Sequence, residues 1–194
     1  MKQFNYFDFA NLPTEEEIRE IQEMLARLSG KETEVYYRAL MQKGTCKTKN
    51  AKIACLDFLS YAVELRTQWN YFLMQHMDET VKAIYFEFDT LLRWSGQFVG
   101  CSSYMPLAEE NDDWASDCIC AQGDAPDYEL LAIVYNGCCD KCMGGTNNKK
   151  ALIALTAALF KQIVEMNNPH VPVCIHYKYQ DPLFRLFEDS QYTL

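Results

Sequence analysis

The chain is expected to fold as an α+β domain, because helical spacing of apolar residues fills its first third, strict alternation begins near Val81, and one long apolar helical run precedes a last strand. The N-terminal helices are expected to pack on a mainly antiparallel sheet. The further long helix would come just before the last strand, and nothing between residues 1 and 194 reads as a linker, so a single domain is expected.

Thr14 followed by Glu15, Glu16 and Glu17 has the form of a capping box, with acids where a helix N-terminus favours them. Ile18, Ile21, Leu25 and Leu28 then recur at helical spacing, and Ser29-Gly30 reads as a stop. A second, shorter helix is expected over Thr33–Lys43. A long helix is expected from about Lys49 to His76, with Ile53, Leu56, Leu59, Val63, Trp69 and Phe72 on its apolar face. From Val81 the period changes to two, and the aromatic and β-branched run Ala83–Asp89 reads as a strand buried on both faces. Leu91–Tyr104 reads as a second strand interrupted by Gly96 and Gly100. Trp114–Ala121 and Tyr128–Tyr135 read as a hairpin across the turn formers Gln122–Asp127. Lys149–Met166 is a strongly apolar helix, Val171–Tyr179 a strand, and Pro182–Glu188 a short helical tail.

With 194 residues and 49% apolar side chains the chain can bury a core without staples. Its formal charge of −9 works against nucleic acid as a partner, since duplex binding draws its affinity from neutralised phosphates. Met1–Leu12 lacks the basic and apolar regions of a secretory signal, and no apolar run is long enough to span a bilayer. A cytoplasmic location, with no membrane and no nucleic acid among its partners, is therefore expected.

Nine cysteines are present, at Cys46, Cys55, Cys101, Cys118, Cys120, Cys138, Cys139, Cys142 and Cys174. The odd number and the missing leader favour reduced thiols that behave as small hydrophobes. Cys118, Cys120, Cys139 and Cys142 would supply the four thiolates of a tetrahedral zinc site. In the expected hairpin, however, Cys118 and Cys139 stand about 20 Å apart at roughly 3.3 Å per residue, too far for one metal. No cofactor is expected. Cys174 and His176 share one face of a strand, yet an apolar strand with no orienting third group reads as core and not as a nucleophile with its base. Gly144-Gly145-Thr146-Asn147-Asn148-Lys149-Lys150 departs from the phosphate-loop pattern, and Thr146 or Asn147 reads more simply as a helix N-cap.

Charge is distributed unevenly. Between Glu87 and Asp140 the acids include Glu109, Glu110, Asp112, Asp113, Asp117, Asp124, Asp127 and Glu129, and Arg93 is the only basic residue. Such a field repels phosphates and steers a basic protein surface toward it. Paired carboxylates in Glu109–Asp113 would suit acid–base work only with a converging His, Lys or Arg, and none is near in sequence. Trp114 beside them has the composition of a partner anchor, or else turns into the core. Glu109, Glu110, Asp112, Asp113 and Trp114 are thus the candidate partner-binding residues.

Three segments resemble the small acidic α+β immunity proteins of bacterial polymorphic toxin systems: Ile84-Tyr85-Phe86-Glu87-Phe88-Asp89, the acidic loop into Asp113-Trp114, and Val173-Cys174-Ile175-His176-Tyr177. The resemblance covers the larger, C-terminal part of the chain. It implies a non-catalytic protein that binds and inhibits a basic toxin domain. Two other classes compete with it, a Cys-rich metal-binding or thiol-dependent enzyme and an adaptor subunit.

Overall fold

Helix α1 (Glu15–Arg27) starts where the capping box places it: Thr14 Oγ1 accepts from the Glu17 amide and Glu17 Oε2 accepts from the Thr14 amide at 2.8 Å. The computed structural model describes residues 13–42, 56–90, 93–106, 112–137, 145–178 and 183–187. Ser29-Gly30 is a start as well as a stop. Ser29 and Glu32 form a second reciprocal cap, so α2 (Gly30–Gln42) begins three residues before the expected Thr33. Helix α3 (Phe58–His76) is capped by Asp57, whose carboxylate accepts from the Ser60 amide at 3.0 Å; the expected turns before Leu56 lie outside the described residues. Its buried face is Phe58, Tyr61, Leu65, Trp69 and Phe72, while Leu59 and Val63, assigned inward from the sequence, are 76% and 59% exposed. Both stripes are apolar at helical spacing, and only the neighbouring aromatic rings decide which one turns inward.

Strands β1 (Ala83–Asp89) and β2 (Ser95–Cys101) pair antiparallel through a turn in which Arg93 and Trp94 have φ of 59° and 54°. Left-handed backbone is costly at a tryptophan. Trp94 is held there by complete burial and by its indole N–H, which donates to Thr156 Oγ1 at 3.1 Å. Beyond β2 the sequence expectation fails three times. Residues Asp113–Asp117 form the short helix α4, followed by β3 (Ile119–Ala125), and Glu129–Asn136 form helix α5 instead of a strand. The expected turn formers Gln122–Ala125 therefore lie inside β3. Gly123 sits against Phe72, where a Cβ would stand 2.8 Å from the ring, so this glycine serves a close approach and not a turn. Helix α6 (Gly145–Asn167) is entered before Thr146 and is buried along Ala151–Lys161. Strand β4 (Val173–Tyr177) follows as expected, but the last element is β5 (Phe184–Phe187), a strand where a helical tail was expected.

The strands form one sheet in the order β3-β2-β1-β4-β5, antiparallel except for the β1–β4 pair. The fold is α+β. Residues of one parity, Ile84, Phe86, Phe88, Phe98, Ile175, Tyr177 and Phe184, join the main core beneath the helices. Helix α6 is apolar on nearly every side because it is enclosed, with α2 packed closely along it. A Cβ on Gly30 would lie 2.6 Å from the Gln162 backbone nitrogen, so that helix crossing requires glycine. Buried Lys161 donates to the terminal carbonyls of α1, at Leu25 and at Leu28 (2.7 Å), and so caps that helix from across the core. Among the described residues no helix is long and apolar enough to cross a membrane.

Candidate functional site

The face of the sheet opposite the main core is divided into a half covered by α4 and its neighbours and an open half. On the covered half Ala83, Tyr85, Val99, Cys101 and Cys174 meet Trp114, Ala115 and Leu183 in a second apolar cluster. Tyr85 Oη donates to the Ala115 carbonyl at 3.2 Å and thereby ties α4 to β1. Arg185 holds the covering segment from the other side. The residue is 8% exposed, and its guanidinium donates to Asp112 Oδ1 at 2.6 Å, to Met105 O at 3.2 Å and to Leu183 O at 3.0 Å, within 5.8 Å of the Tyr104 and Trp114 rings. Asp112 also accepts from the Leu183 amide at 2.9 Å.

The open half is polar. Register places Asp124, Gln97, Glu87 and His176 opposite one another in a single row across β3, β2, β1 and β4. Glu87 is the hub: Oε1 accepts from Gln97 Nε2 at 3.0 Å, and Oε2 lies 3.0 Å from His176 Nδ1. The hydrogen bond from His176 chiefly holds the Glu87 carboxyl below its ordinary range, against the opposing effect of burial. In the next row Asp89, with its side chain only 6% exposed, pairs with Lys178 at 3.4 Å. Glu87, Asp89, Ser95, Gly96, Gln97, Asp124 and Lys178 line a cleft of about 230 Å³. The Glu87–His176 pair has the form of a carboxylate that orients an imidazole, which is half of a catalytic constellation. Chemically the row suits the capture of cationic and hydrogen-bonding side chains.

Of the residues singled out from the sequence, Glu109 and Glu110 lie outside the described residues. Asp113 is exposed at the start of α4. Asp112 is taken up by Arg185, and Trp114, 3% exposed, occupies the core position that was its alternative. Of the three described residues, Asp113 alone is exposed, while Asp112 and Trp114 are engaged within the covering segment. The cleft residues were overlooked, although charges at alternate positions, Glu87 with Asp89 and His176 with Lys178, within otherwise apolar strands mark one solvated face.

Cys118 and Cys120 stand at the start of β3, whereas Cys138, Cys139 and Cys142 lie outside the described residues. The hairpin from which a 20 Å separation was reckoned does not exist, because its second strand is α5. Among the described residues no group of three or more His, Cys, Asp or Glu side chains is placed to hold a metal ion. Cys174 is fully buried beneath the covering segment, with His176 two residues on at the open half. No protein-family model matches the chain, and no curated protein or solved structure matches it either.

Proposed function

We propose that this chain is a non-catalytic acidic binding protein of the immunity type, which binds and inhibits a basic toxin domain through the open half of its sheet. The observation that carries this reading is the four-strand polar row with its cleft, where, among the described residues that line it, Glu87, Asp89 and Asp124 face a single lysine, Lys178. An excess of carboxylates over a concave floor raises the local concentration of a basic partner and speeds association, while the cleft offers a seat for a Lys or Arg side chain. The formal charge of −9 extends the same field over the molecule. A thiol-dependent enzyme is less well supported, since Cys174 is sealed from the side on which His176 is reached.

The reading is tested by co-expression. The product of the neighbouring open reading frame, expressed alone in a bacterial host, is expected to arrest growth, and this chain is expected to relieve the arrest. Asp124→Lys, at an exposed position, should weaken the relief at unchanged melting temperature. Arrest that the wild-type chain fails to relieve, or relief that Asp124→Lys leaves intact, would remove the open face as an inhibitory surface. Binding without relief would instead mark an adaptor subunit.

A further inference from the structure

Strand β3 is the last in the sheet order, and among the described residues it pairs only with β2. Among the described residues its outer edge is long and has no strand beside it. All seven residues, Ile119–Ala125, are strand, and the sequence Ile-Cys-Ala-Gln-Gly-Asp-Ala contains neither the proline nor the lysine that commonly blunts a sheet edge. Ile119 is 43% exposed, and Cys120, Gln122 and Asp124 are also exposed. The opposite edge is shorter: β5 has four residues.

Charge selects the occupant. Exposed Asp113 and Asp117 precede β3, exposed Asp127 and Glu129 follow it, and Asp124 lies within it. Of the cations near it, Arg93 is already paired with Asp127 at 3.5 Å and Lys178 with Asp89 at 3.4 Å. Asp124 also belongs to the cleft, opposite Gln97 and two strands from Glu87. A residue added opposite Asp124 on the same face would have its Cβ within about 5.5 Å, and a lysine or arginine there reaches over the cleft.

Resting on the reading of the open face as the contact surface, we propose that the basic partner binds by strand addition: an extended basic segment pairs with the outer edge of β3 as a sixth strand and lays a Lys or Arg side chain over the Glu87–Asp124 cleft. Main-chain hydrogen bonds then supply affinity, and the alternate side chains supply selectivity.

The test uses the full chain at low salt and a blocked seven-residue peptide that alternates Arg with Val, together with two isomers N-methylated on one or the other set of alternate residues. An added strand turns alternate amides toward β3. One isomer should therefore bind like the parent, and the other should lose about tenfold or more, as the loss of two or more ladder bonds implies. Amide exchange at residues 119–125 should slow when the parent is bound. Equal binding by both isomers would show attraction by charge alone and overturn strand addition, as would a parent peptide that fails to bind. Relief of toxicity in co-expression is a separate readout, so the two ideas can fail independently.

Discussion

Replacing Asp112 by alanine should show that this residue is a structural anchor. Asp112 Oδ1 holds Arg185 at 2.6 Å and Oδ2 accepts from the Leu183 amide at 2.9 Å. The two side chains are only 18% and 6% exposed, so water cannot take over either role in place. Removing the carboxylate leaves a buried guanidinium with only carbonyl acceptors, and breaking a buried pair in this way costs ~3–5 kcal/mol. In a chain of this size that lowers the melting temperature by about 6–20 °C, at roughly 2–4 °C per kcal/mol. The variant stays folded, since total stability of ~5–15 kcal/mol is usual. Adding Arg185→Met to Asp112→Ala removes the stranded charge and leaves mainly the orphaned Leu183 amide, a cost of ~1–3 kcal/mol. The double variant should therefore be more stable than the Asp112→Ala single variant. Urea unfolding of all four species measures the coupling. A single variant within about 1 kcal/mol of wild type, or a double variant less stable than the single, would refute the anchoring role.

Trp114→Ala should act in the same region by a different route: it empties a position 3% exposed and should cost ~3–5 kcal/mol, read as a fall in melting temperature, and an unchanged melting curve would contradict the burial of the ring. For Glu87 the sign follows from its lowered pKa. Its contribution to stability is complete above its ordinary value of 4.5 and is lost as pH falls through the lower folded value. Glu87→Gln should therefore flatten the acid limb of stability measured by urea unfolding between neutral pH and pH 3, and identical limbs would contradict the His176 contact. Burial pushes the Cys101 thiol up to about 12, whereas Cys120 is exposed. Native-state alkylation at mildly alkaline pH, read by peptide mass mapping, should label Cys120 well before Cys101, and the reverse order would be inconsistent with the placement of β3.

The elements legible in the sequence are those whose signal is local. The Thr14 and Glu17 side chains cap α1 with groups three residues apart, and the alternation of Ala83–Asp89 and Val173–Tyr177 states their strand period directly. The same local rules misread Tyr128–Tyr135, because Leu131, Ala132, Val134 and Tyr135 are buried at spacings that serve a short helix as well as a strand. They misread Gln122-Gly123-Asp124-Ala125 for a related reason: a run of turn formers also fits an edge strand whose glycine must clear the Phe72 ring. The residues singled out as a partner site formed a contiguous acidic run, but adjacency in sequence decides nothing about which face a side chain meets. Asp112 was claimed by Arg185, 73 positions away, and Trp114 by a cluster drawn from three strands and their connections. What the sequence by itself determined was fold class, charge and the two central strands, since those depend on composition and on contacts a few residues apart. The cleft row of Asp124, Gln97, Glu87 and His176 was decided only in the tertiary structure, because strand register alone brings residues from four separate segments opposite one another.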